Sequence, residues 1–159
     1  GRFGWSKGSI LNLCIGQGEI LVTPMQVFKY LNLLVTKGST HAPHFVKTDH
    51  SVPVKMPTIK TDTWERITYD MGQVVYNELG TGKNALPENN KIKIYGKTGT
   101  AENPHGEDHA WYIGWMNYDK KNYSVVVLLE NSGSGGAIAA PVAKKVFDII
   151  SENKDVVKK

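Results

Sequence analysis

Cys14 is the sole cysteine, so no disulfide can form within the chain, and a lone thiol does not reveal the redox compartment. No apolar run approaches the roughly 20 residues that a membrane-spanning helix needs. Nor does any stretch have the layout of a signal peptide. The chain opens on Gly-Arg-Phe-Gly rather than Met, which leads us to expect an excised segment of a longer product. A large excess of charge of one sign is lacking: the net charge is +4, and the lysines are scattered except for a small cluster at 154–159. That pattern excludes a nucleic-acid footprint. A mildly basic domain still suits an anionic cell-wall polymer or a membrane surface.

Nucleotide and zinc signatures are missing as well. Gly96-Lys97-Thr98 ends like a phosphate-binding loop, but Lys91 stands where that motif needs its first glycine. Gly82-Lys83 is followed by Asn84 where a serine or threonine should hold magnesium. His41, His44 and His50 lie in a stretch broken by Pro43, Pro53 and Pro57, and their spacing fits no zinc pattern. They read as surface loop.

What is present is 159 residues with 40% apolar content, enough for one domain with a real core. Residues 1–22 read as loop or linker with a short apolar patch at 10–15. Thr23-Pro24-Met25-Gln26 starts a helix over 23–38, with Thr23 as cap, Pro24 in the first turn and Gln26 closing a capping box. Val27, Phe28, Leu31, Leu34 and Val35 form its core stripe. Asp62 and Glu65 mark the start of a second helix over 61–79, with Trp64, Ile67, Met71, Val74, Val75 and Leu79 on one side. Residues 91–130 read as an antiparallel meander, residues 133–136 as a flexible link, and 139–151 as a closing helix opened by Pro141. The fold class is α+β, with a three-stranded antiparallel sheet in this segment.

The organising stretch is KIKIYGKTGT, residues 91–100. Ile92 and Ile94 alternate with Lys91, Lys93 and Tyr95, as in a half-buried strand. Period two then places Lys97 and Gly99 on one face and Thr98 and Thr100 on the other. Gly99 leaves bare backbone where another chain can approach closely. An ammonium, hydroxyls and edge amides beside it make a docking strip for an extended peptide that ends in a carboxylate.

KTGTAENPHGEDHAWYIGW, with IGQGEILVTPMQ and GTGKNA before it and GSGGAIAAPVA after it, resembles the penicillin-binding transpeptidases. Among them it is most similar to class B, the elongation branch. The likeness spans nearly the whole chain but only the C-terminal half of the family's catalytic domain. The other two family motifs, Ser-x-x-Lys and Ser-x-Asn, belong well before Lys97. Here they match only at Ser151 to Lys154, in the charged tail, so we take that match as chance and expect no nucleophile in this chain.

The resemblance implies a five-stranded sheet, two of its strands lying outside this segment, flanked by helices on both faces as in serine β-lactamases. It implies a serine D,D-transpeptidase that cross-links peptidoglycan stem peptides ending in D-Ala-D-Ala and that binds β-lactam antibiotics. Lys97 would face the substrate carboxylate, the Thr98 hydroxyl would donate to it, Gly99 would admit the substrate backbone, and the Thr100 amide would serve the oxyanion. Glu102, Asp108 and His109 become candidate substrate contacts. Further implications are an extracytoplasmic location, an anchor in the missing N-terminal half, a membrane glycosyltransferase as candidate partner, and no cofactor. His105, Asp108 and His109, with Glu102 and Glu107, admit a metal reading. A polar hairpin whose Asp and His brace the turn fits better. The competing function is a non-catalytic module that keeps the docking strand and only binds a peptide or protein.

Overall fold

The computed structural model describes residues 4, 6–18, 20–48 and 50–153. Alternation through the second half of the chain becomes a meander of β3 (Lys93–Ala101), β4 (His109–Tyr118) and β5 (Lys121–Leu129). The strands are antiparallel in the order β3-β4-β5, with Gly96 opposite Gly114 and Thr100 opposite Ala110.

Each face of this sheet has its own core. On one face, Trp115 and half-buried Tyr95, Ile113 and Val126 pack against Leu31, Leu34, Trp64 and Met71. These come from α2 (Pro24–Val35) and α3 (Thr61–Tyr76). Tyr95 and Trp115 stack with centroids 4.8 Å apart. On the other face, Ile94, Tyr112, Met116, Val125 and Val127 pack against Ala140, Ala143 and Phe147 of α4 (Ala140–Glu152). Helices therefore cover both faces of an antiparallel sheet. β5 is apolar on both sides because Val126 serves one core while Val125 and Val127 serve the other.

The α2 start is as expected. Thr23 Oγ1 accepts from Gln26 N (3.2 Å), and Gln26 Oε1 accepts from Thr23 N (2.8 Å), so two orphan amides are satisfied reciprocally. Elsewhere the structure departs from the sequence reading. Residues 1–22 are not all loop: α1 (Lys7–Cys14) forms with Ser6 as its cap, whose hydroxyl accepts from Ser9 N. None of its residues is buried, so its sequence carries no core stripe. The stretch that holds His41, His44 and His50 is not all surface loop either. β1 (Ser39–His41) and β2 (Pro53–Lys55) pair antiparallel, with His41 opposite Pro53.

α3 takes no side-chain cap from Asp62 or Glu65. Its first flanking residue is Lys60, which makes no side-chain bond, and the helix ends at Tyr76. Leu79, expected on its buried side, is 92% exposed. The chain leaves the helix at Asn77, and Gly82 N returns to bond Val74 O (2.8 Å). Residues 133–136 are not a loose link: Gly135 is buried and opens a π-helical turn, Gly135–Ala139, that runs into α4. A Cβ on Gly135 would collide with the carbonyls of Gly99 and Trp111, so the turn seats directly on β3 and β4.

Candidate active site

Alternate residues of an antiparallel strand turn their N–H and C=O to the same edge. Ile94 N donates to the Tyr76 hydroxyl of α3 (2.9 Å), away from β4. By the same parity Gly96, Thr98 and Thr100 also face outward. Among the described residues β3 has no strand on that edge. Among those residues the amides of Gly96, Thr98 and Thr100 have no partner there. The outer edge of β3 is thus an open row of donors, in register to take an extended chain.

Lys97 is exposed beside this edge, and its Nζ donates to Thr98 O (2.6 Å). It borders an open depression of about 270 Å³ with Asp70, Gln73 and Asn77 from α3 and its end, and Gly80 and Thr81 beyond. Thr98 is 9% exposed, and its hydroxyl lies 2.7 Å from that of Thr81. Two hydroxyls in contact use one proton between them and keep the other to offer elsewhere. Thr81 is exposed, so that second proton can be presented at the depression. A Cβ on Gly99 would stand 3.2 Å from Trp111 Cβ, tight enough that the bare residue matters. Thr100 is held at its carbonyl by Gln17 Nε2 (2.9 Å) and at its hydroxyl by Gly135 N (3.3 Å).

The turn between β3 and β4 is braced rather than open. Asp108 Oδ1 accepts from Asn103 N (3.4 Å), and its carbonyl accepts from Ser132 N and Gly133 N. His109 Nδ1 accepts from Asn131 N (3.0 Å), which places the ring proton on Nε2. Glu102 enters the site through its backbone, its N–H donating to Gln17 Oε1 (3.3 Å). His105 N caps onto Asn103 Oδ1. Ser151 sits at the end of α4 with its hydroxyl donating to Asp148 O (2.9 Å), while Lys154 lies outside the described residues.

Two tyrosines near β3, Tyr76 of α3 and Tyr112 of β4, are perturbed. Burial raises the Tyr76 phenol, partly offset by the bond from Ile94 N. Burial pushes Tyr112 far upward, with Tyr76 adding to it. Sequence reasoning passed over Gln17, Tyr76, Thr81 and Gly135. The available signal was a polar residue between two glycines, in Gly16-Gln17-Gly18 and in Gly80-Thr81-Gly82.

The fold is thus a helix-flanked antiparallel sheet whose edge strand carries Lys-Thr-Gly beside an open amide row. The match to the penicillin binding protein transpeptidase domain runs over residues 1–148, and the chain belongs to that family. Within it, the chain is 34% identical to the peptidoglycan D,D-transpeptidase MrdA of Haemophilus influenzae, covering 91% of this chain and 26% of that protein. The crystal structure of penicillin-binding protein 2 from Pseudomonas aeruginosa, in complex with WCK 5153, superposes with a TM-score of 0.80 at 32% identity. That match covers 97% of this chain and 35% of the other. Penicillin-binding protein A of Mycobacterium tuberculosis, solved as an imipenem acyl-enzyme complex, superposes at 0.65 with 27% identity, covering 86% of this chain and 32% of that one. The chain spans about a quarter of the length of the MrdA relative.

Proposed function

We propose that this chain is the C-terminal part of a single transpeptidase domain, supplying the docking edge and oxyanion donor of a peptidoglycan D,D-transpeptidase. The observation that carries this is the open outer edge of β3 from Gly96 to Thr100, with the Lys97 ammonium beside it. A stem peptide ending in D-Ala-D-Ala would lie along that edge as an added strand. Its terminal carboxylate would meet Lys97 and the spare proton of the Thr81–Thr98 pair. Gly99 would let the backbone approach, and Thr100 N–H would point at the oxygen of the penultimate carbonyl.

The attacking serine comes from the preceding half of the domain. Its oxygen would bond to that carbonyl carbon, with Thr100 N–H stabilising the oxyanion, and the terminal D-alanine would leave with the proton taken from the serine. An amine from a second strand would then take the acyl group. A β-lactam would follow the first step and stay attached. Among the described residues β5 has no strand on its outer edge, and with the exposed apolar residues Ile10, Leu11, Ile15 and Leu21 this supports a covering half-domain. The complete protein would work outside the cytoplasm at the membrane, beside a glycosyltransferase of the elongation machinery. From the braced turn, Asp108 and His109 would contact the bound peptide.

Intact-mass spectrometry after incubation with excess penicillin tests the assignment. The complete domain gains one adduct and this chain alone gains none. A stoichiometric adduct on Ser151 of the isolated chain would overturn the reading.

A further inference from the structure

Gln17 is 83 residues from Thr100 in sequence, yet one carboxamide bonds Thr100 near the end of β3 and Glu102 just beyond it. Its delivery is built into the backbone. Asn12 O accepts from both Ile15 N (3.1 Å) and Gln17 N (2.9 Å), and Leu13 O accepts from Gly16 N (3.0 Å), closing the end of α1. Gly16 and Gly18 have φ of 77° and 100°, left-handed values that a side chain at either position would strain. The two glycines turn the chain off α1 and leave Gln17 facing the strand.

The carboxamide acts as a neighbouring strand's peptide would. Nε2 donates to Thr100 O at 2.9 Å, and Oε1 accepts from Glu102 N at 3.3 Å. With Gly135 N on the Thr100 hydroxyl, both oxygens of Thr100 are engaged. Thr100 N–H faces the same outer edge as the carbonyl that Gln17 holds, and it is the backbone group of Thr100 left without a partner there among the described residues. It is also the donor that the transpeptidase reading assigns to the oxyanion.

We propose that Gln17 is a positioning residue, which fixes the Thr100 peptide so that its N–H meets the developing oxyanion. This rests on the transpeptidase reading. Gln17 touches no reacting atom. It acts through Thr100, and a misplacement of about 1 Å at such a donor can cost about 100-fold in rate.

The test uses the full-length protein that carries this chain. Gln17→Leu removes both bonds at similar volume. Gln17→Glu keeps the acceptor for Glu102 N–H but sets a carboxylate against the Thr100 carbonyl. Stopped-flow measurement with a chromogenic cephalosporin separates noncovalent affinity from the acylation rate constant, and thermal unfolding is followed in parallel. For both variants the acylation rate constant is expected to fall about 10- to 100-fold while affinity stays within about threefold. A wild-type acylation rate in Gln17→Leu would refute the inference alone. So would a parallel fall in rate, affinity and thermal midpoint, which marks a strut and no more. Should Gln17→Leu not fold, Gln17→Glu decides by the same split. A wild-type protein that forms no acyl adduct would instead refute the transpeptidase reading on which the inference stands.

Discussion

Among the described residues Tyr112 is the largest side chain buried without any exposure, and replacing it by phenylalanine isolates the effect of one oxygen. Its ring lies across the Gly96–Gly114 pair, where a Cβ on Gly96 would collide with the hydroxyl. That hydroxyl has no hydrogen-bond partner among the described residues. A buried polar group left unpaired costs about 1–3 kcal/mol, which the phenylalanine ring avoids while keeping the apolar burial. We therefore expect Tyr112→Phe to stabilise the fold by about 1 kcal/mol near neutral pH, raising the thermal midpoint by about 2–4 °C.

The pH dependence provides a second, sharper test. Burial, then the neighbouring Tyr76, hold the Tyr112 phenol protonated well above the ordinary value of 10.0. Above that value the unfolded chain releases a proton that the folded one keeps. This contribution is fully present below pH 10 and falls by about 1.4 kcal/mol per pH unit above it, until the folded value is reached. Phenylalanine has no such limb, so the gap between variant and wild type is flat below about pH 10 and widens above it. Urea unfolding from neutral to alkaline pH reads both effects. A variant destabilised by about 1 kcal/mol or more, or a gap that stays constant across pH 10, would show that the hydroxyl is satisfied and the reasoning wrong.

Other expectations concern the site and the second sheet edge. Lys97→Ala in the complete enzyme slows β-lactam acylation by about 100-fold or more while leaving thermal unfolding unchanged, and an unchanged acylation rate refutes the role of the ammonium. Gly96→Ala destabilises by about 1–3 kcal/mol in the same urea assay, because the new methyl meets the Tyr112 ring; a neutral result would mean that the ring moves freely. The isolated chain self-pairs or precipitates along the free edge of β5, and strong amide protection on both edges of that strand in a proven monomer would contradict this.

The parts of this fold legible in the sequence are those whose cause is local. Thr23 and Gln26 are three residues apart, so the start of α2 is visible in a short window. The alternation through Ile92, Ile94 and Gly96 announces β3 in the same way. α1 escaped because a helix with no buried residue has no apolar stripe to read. β1 and β2 escaped because their three paired positions are separated by a proline-broken stretch that carries no alternation. Leu79 was misplaced because helical spacing continued past the point where Asn77 turns the chain. At the site, Lys97 to Thr100 could be found because the motif is contiguous. Gln17, Thr81 and Gly135 reach the same strand only through tertiary contacts. Their glycine neighbours hinted at special backbone but not at what it faces.

The central claim is that the outer edge of β3 receives the acyl group, and a crystal structure of the penicillin-acylated complete domain tests it most directly. The account predicts an ester on a serine outside this chain, with its carbonyl oxygen about 2.7–3.1 Å from Thr100 N and its carboxylate beside Lys97 and the Thr81–Thr98 pair. An acyl group seated away from the Gly96 to Thr100 edge, with Thr100 N–H bonded to something other than the ester oxygen, would contradict it.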